Sequence, residues 1–235
     1  MGETVFLAGA TGAIGRKLVP LLVEAGFTVY GSTRKPERRE SLQQAGATPV
    51  VLDVFDGEAL KAAVGQIRPR IVIHQLTDLP YGLDPAQMEE GRARNAHIRE
   101  VGTRNLVDAA IAAGVERMVS QSIAWSYRAG AGPITEETPL QEGATAIRTL
   151  ETLTLTTSGI AGTVLRYGLI YGPGTGCDVP SGPISLHVDD AARAALLAVQ
   201  ASVTGVFNVV DDGGPVSNAK AKSILAWQPA QRGWE

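Results

Sequence analysis

The chain has 235 residues, 44% of them hydrophobic and 19% charged, with a formal net charge of -3. That length suffices for one domain with a sizeable core, and the charge balance leaves no strongly basic face for nucleic acid. The single cysteine, Cys177, excludes a disulfide framework and a thiolate metal site and fits a reducing compartment. No apolar run approaches the ~20 residues of a membrane span. The opening Thr4-Val5-Phe6-Leu7-Ala8 is too short for a signal-peptide core and has no basic lead, so a cytoplasmic protein is expected.

Taken in chain order, the hydrophobic periods alternate. Val5-Phe6-Leu7-Ala8 is a continuous apolar run, as in a strand buried on both faces of a parallel sheet. Helical spacing follows over 13–25 (Ile14, Leu18, Leu21, Leu22) and stops at Gly26. Strand and helix then repeat: 28–32, 37–45, 49–52, 58–66 and 71–74, followed by a long helical stretch over 85–113. A fifth strand is expected at 117–120, a helix at 144–157 and a sixth strand at 162–166. The pattern predicts an α/β fold, a doubly wound parallel sheet.

The last third reads differently. Residues 171–184 are rich in Gly and Pro and read as loop. His187-Val188-Asp189-Asp190 leads into an apolar helix over 191–199, with an Asp placed as its N-cap. A strand is expected at 206–210, and the tail 217–235 reads as one helix with an irregular end. The expected division is a dinucleotide-binding Rossmann domain over 1–170 and a small substrate-binding or lid portion over 171–235 that returns in part to the core.

Gly9-Ala10-Thr11-Gly12-Ala13-Ile14-Gly15 sits between the first strand and the first helix. Gly9 allows a tight turn, Gly12 lets backbone approach a pyrophosphate, and Gly15 lets the helix pack near the sheet. The helix N-terminus offers N–H groups and partial positive charge to phosphates. Thr11, Ala13 and Ile14 complete this set of candidate cofactor contacts.

The G-x-x-G-x-x-G spacing resembles the short-chain dehydrogenase/reductase superfamily, and further segments resemble its extended and atypical branch of NAD(P)-dependent epimerases and dehydratases. Asp53-Val54 is similar to that branch's acid–hydrophobe pair beside the adenine. His74-Gln75-Leu76-Thr77 stands where a turn under the nicotinamide ribose is expected, which makes Leu76 and Thr77 candidate contacts. Val101-Gly102-Thr103-Arg104-Asn105-Leu106 resembles its "GT-x-N-L" region, Arg166 to Gly174 its "R-x-x-x-x-Y-G-P-G" segment, and His187 to Asp190 its "VHVDD" segment. The resemblance implies that Ser120 and the stretch from Tyr167 to Ile170 border the cofactor, and that the protein forms a homodimer through its long helices.

After the second strand, where NAD binders place an acid for the ribose 2′-OH, stand Ser32-Thr33-Arg34-Lys35. Thr33 and Arg34 suit a 2′-phosphate, so NADP is expected in preference to NAD.

The resemblance also implies a Ser, a Tyr and a Lys at the reacting centre, with the phenol as acid/base. Ser122 occupies the Ser position. The following helix, from Glu142 to Glu151, has neither Tyr nor Lys, and no Lys occurs between Lys61 and Lys220. Tyr127 is the nearest phenol in sequence and is the candidate acid, with a structural corner as the alternative. Arg148 is a candidate positive charge, and His187 reads as structural before it reads as a general acid. The chain is also shorter than the family pattern between Gly176 and Cys177 and between Pro215 and Asn218, so its substrate portion is reduced or incomplete. The reading is an NADP-dependent enzyme acting on a small carbonyl or hydroxyl substrate. Its alternative is a non-catalytic NADP-binding redox regulator of a partner protein. A nucleotide-sugar diphosphate is disfavoured because the second half has no Arg/Lys cluster.

Overall fold

Strand β1 (Thr4–Ala8) shows why its apolar run is unbroken: Val5 and Leu7 face one layer of helices while Phe6 and Ala8 face the other. In this computed structural model, which describes residues 2–130 and 132–231, the same logic holds for β2 (Thr28–Thr33), β4 (Ile71–His74), β5 (Arg117–Ile123) and β6 (Ala161–Tyr167). With β3 (Thr48–Val51) and β9 (Gly205–Val209) they form one parallel seven-stranded sheet ordered β3-β2-β1-β4-β5-β6-β9. The order reverses between β1 and β4, and a crevice opens there at the strands' carboxyl ends. The doubly wound reading holds.

One face carries α1 (Gly15–Glu24), α2 (Arg39–Gln44) and α7 (Val188–Ala201); the other carries α3 (Gly57–Ile67) and α5 (Thr103–Ala113). The long helical stretch expected over 85–113 is broken. A 3₁₀ turn (Pro85–Gln87) precedes α4 (Met88–His97), and a single π turn (Ile98–Gly102) joins α4 to α5. Helix α6 (Thr145–Thr156) packs against β5 and β6.

Three boundaries differ from expectation for identifiable reasons. Strand β5 continues past Ser120 because the polar Gln121 and Ser122 pair with Leu165 and Arg166 of β6. The loop expected over 171–184 is framed by a short parallel pair, β7 (Leu169–Tyr171) and β8 (Ser185–His187). Helix α7 starts at Val188 because that side chain is buried, and its cap is His187, whose Nδ1 accepts from the N–H of Asp189 at 3.3 Å. The Asp expected as cap lies inside the first turn.

The C-terminal third returns to the core. Helix α8 (Ala219–Ile224) lies near β9, and Trp227 is fully buried with its indole N–H donating to the Asp190 carbonyl at 2.9 Å. The end of the expected irregular tail, from 232 onward, lies outside the described residues. Truncating Trp227→Ala removes a large buried ring and is expected to lower unfolding free energy by about 3–5 kcal/mol, read from urea midpoints at constant m-value.

Candidate functional site

The turn from β1 into α1 is pressed against the end of β4. Gly9 has φ +88°, and a Cβ there would lie 2.7 Å from the Gln75 carbonyl oxygen. A Cβ on Gly15 would lie 2.1 Å from the carbonyl oxygen of Gly9. These two glycines fix the turn's path, and Gly15 acts through packing, away from the cleft wall. The backbone N–H groups of Ala13 and Ile14 make no hydrogen bond among the described residues, so the entry to α1 presents unpaired donors to an anion.

The crevice is one continuous cleft in two parts, joined along Gly12, Lys35, Gln75 and Thr77. The smaller part, about 270 Å³, runs over Gly9, Thr11, Thr33, Arg34, Val54 and Leu76. The larger, about 1230 Å³, is bordered by Ala13, Ile14, Ser122, Trp125, Tyr167 and Ile170. Gln75 borders both parts, is 4% exposed, and its Oε1 has no hydrogen-bond partner. A buried acceptor without a donor, beside a glycine turn with free amides, fits a dinucleotide lying along this cleft. Thr11, Thr33, Leu76 and Thr77 would hold it, with Thr11 and Thr33 joined through their hydroxyls at 3.2 Å.

Two expected cofactor residues lie off the wall. Asp53 turns back on its own chain and accepts from the N–H of Phe55 at 3.0 Å. Ser120 is fully buried and accepts from the Thr154 hydroxyl at 2.9 Å, tying β5 to α6. A short polar side chain beside a turn or helix takes the nearest backbone or hydroxyl partner, which explains both.

Ser122 stands on the wall of the larger part, but its hydroxyl is committed. It donates to Glu151 Oε1 at 2.7 Å. Glu151 is 5% exposed and is held in a fork by Arg166, with Nε to Oε1 at 2.8 Å and Nη2 to Oε2 at 2.6 Å. Arg166 Nη1 also donates to the Tyr127 hydroxyl at 2.9 Å, and Tyr127 in turn donates to Asn208 Oδ1. Tyr127 is absent from the cleft wall, and burial raises its pKa. The expectation of Tyr127 as proton donor is corrected: it is a corner of a buried network. Arg148 is corrected likewise, because its guanidinium is bound to the carbonyls of Leu140, Gln141 and Glu142. Burial also holds the Tyr167 phenol above its usual pKa, and its hydroxyl donates to the Ala191 carbonyl.

Residues that the motifs did not single out complete the larger part. Asn95 and Arg99 come from α4 and the π turn, and Glu151 from α6 fixes Ser122 from behind. The π turn itself was invisible to a helical period, and Glu151 reads in sequence as an ordinary surface acid. His74, fully buried beneath the π turn, pairs through Nε2 with Thr103 Oγ1 at 3.0 Å, and its Nδ1 accepts from the Leu76 N–H at 3.2 Å. Burial, and then the charge of Arg99, lower its pKa to about 3.

The comparisons with known proteins agree with this architecture. Residues 9–201 match a family model described as NAD(P)H-binding. The chain is 38% identical over 237 residues to 3-diazoavenalumate denitrifying reductase of Streptomyces sp, covering 88% of this chain and 76% of that protein. UDP-glucose 4-epimerase of Thermotoga maritima, solved with UDP-glucose, has a TM-score of 0.77 at 22% identity, covering 96% of this chain and 93% of that one. WbmG of Bordetella bronchiseptica in complex with NAD has a TM-score of 0.76 at 19% identity, covering 99% and 91%. The chain belongs to this NAD(P)H-binding family, and it shares the fold of the epimerase structures.

The expected preference for NADP is corrected. Structures sharing this fold hold NAD. Arg34, offered as the 2′-phosphate ligand, is instead ion-paired with Asp78 at 3.3 Å, and Asp78 also lies 3.6 Å from Arg94. The acid that meets Arg34 comes from the segment after β4.

Two outcomes follow. Glu151→Gln leaves the buried Arg166 guanidinium without its countercharge and is expected to cost about 3–5 kcal/mol in urea unfolding. His74, neutral in the fold down to about pH 3 but protonated when unfolded below about 6.5, contributes stability that is intact above pH 6.5 and is lost as pH falls toward 3. The slope approaches about 1.4 kcal/mol per pH unit. Urea midpoints taken from pH 7 to pH 4.5 are expected to fall less steeply for His74→Gln than for the wild type.

Proposed function

We propose that this protein is an NAD-dependent reductase whose substrate accepts hydride at an electron-poor centre without a phenol placed to protonate it. The observation that carries the reading is the cleft wall beside Ser122. The serine proton is held by Glu151, Tyr127 is locked between Arg166 and Asn208, and Tyr167 is tied to a carbonyl. A carbonyl reduced here would develop alkoxide charge with no positioned acid to quench it.

An arene bearing a diazo group has no such need. A C–H bond forms with the electron pair of the hydride, and dinitrogen leaves with the pair of the broken C–N bond. The relative named 3-diazoavenalumate denitrifying reductase supports this class at 38% identity over most of the chain. When bound, the reduced dinucleotide supplies the hydride. The protein's residues then bind and orient: the amides entering α1 and the Thr11–Thr33 pair hold the cofactor, and Gln75 offers its free acceptor to it. Trp125, 38% exposed on the wall, offers a flat face for the arene.

The test is NADH oxidation, with dinitrogen release, on 3-diazo-4-hydroxycinnamate compared with the corresponding cinnamaldehyde. Turnover of the diazo compound at least tenfold faster than the aldehyde is the expected result. Faster aldehyde turnover would replace this reading with a carbonyl reductase, and tight NADH binding with no turnover on either would replace it with the redox regulator.

A further inference from the structure

The π turn between α4 and α5 carries a cation into the larger part of the cleft. Arg99 lies on the same wall as Asn95, Ser122 and Trp125, and it makes no ion pair or hydrogen bond among the described residues. Its nearest electrostatic partner is Glu151, whose two oxygens are already occupied by Ser122 and by the Arg166 fork. Burial lowers the pKa of Arg99 to about 10, which still leaves it charged at neutral pH. A guanidinium drawn out of water, with its countercharge shared with Arg166, is costly unless something brings another.

The surroundings narrow what brings it. Apolar side chains of Leu79, Leu83, Met88 and Ile170 line the wall with Trp125, and the charged Lys35, Glu89 and Arg92 also border it. Asn95 accepts from the Asp78 N–H through Oδ1, which leaves its NH₂ group as a donor to the cleft. One planar fork, one amide donor and an indole face match an aromatic acid: two carboxylate oxygens for the guanidinium, a ring for Trp125. Of the cations on this wall, Lys35 and Arg92 are exposed and Arg99 is the more buried.

We propose that Arg99 is the carboxylate anchor of the substrate pocket and that it selects aryl carboxylates over their neutral analogues. The inference rests on the reductase reading for the identity of the reacting group, but its test does not require turnover. Arg99 is placed by the π turn, in which an extra residue widens one helical turn and shifts the direction of the side chains it carries.

The experiment titrates the full chain, saturated with NAD, with 4-hydroxycinnamate, its neutral amide and UDP-glucose, by calorimetry. Wild-type protein is expected to bind the acid at least tenfold more tightly than the amide. Arg99→Gln is expected to abolish that preference while changing amide and NAD affinity less than twofold; Arg99→Lys is expected to keep part of it. An acid preference unchanged in Arg99→Gln, or equal binding of acid and amide by the wild type, overturns the proposal. So does UDP-glucose binding that exceeds acid binding and depends on Arg99. In turnover of the diazo acid, Arg99→Gln is expected to raise KM at least tenfold with kcat within threefold. Arg99-dependent acid binding without diazo turnover would sink the reductase reading alone, whereas turnover with no acid preference would sink the anchor alone.

Discussion

Glu151 and Arg166 meet almost out of reach of water, one on α6 and the other on β6, and the chemistry of the cleft follows from how that pair is satisfied. A buried carboxylate needs more than one donor, and this one takes two from a guanidinium and a third from Ser122. The same guanidinium recruits Tyr127, with its aromatic ring 4.9 Å below the cation, and through it Asn208 on β9. Each bond removes a hydroxyl proton from the inventory that a catalytic cleft could spend. The hydroxyl of Ser122 is thereby directed at Glu151.

That redirection explains how the cleft differs from what motifs alone suggest. The proposed reaction fits this wall because its leaving group departs without protonation. The remaining functional weight shifts toward binding: the glycine turn and free amides for one ligand, and the half-buried cation with its aromatic neighbour for the other. Gln75 borders both parts of the cleft and carries an unanswered acceptor.

The sheet was legible in the sequence because strands buried on two faces must be continuously apolar, and Val5 to Ala8 and Ile71 to Ile73 could hardly be anything else. The glycine turn was legible because Gly9 and Gly15 occupy positions that a Cβ cannot. Cofactor choice was misread for a local reason: basic residues after β2 were weighed without the acid that meets them from beyond β4, 44 residues later. Tyr127 was misplaced because proximity in sequence to Ser122 says nothing about which side of β5 a later corner faces. The reach of Arg99 was hidden in a helix whose apolar period gives no sign of a widened turn, since Ile98 and Leu106 remain buried on either side of it.

The π turn has a consequence for how such a pocket changes through insertion and deletion. An α-helix advances about 100° per residue, so a widened turn is equivalent to one residue added without disturbing the helices at either end. Losing a single residue between Ile98 and Gly102 would let α4 and α5 run on as one regular helix and rotate the side chains of one segment relative to the other. The sheet, the glycine turn and the buried ion pair would be untouched, and the cation would leave the wall. A codon-sized deletion would therefore remove the charge from the larger part of the cleft and leave the other part as it is.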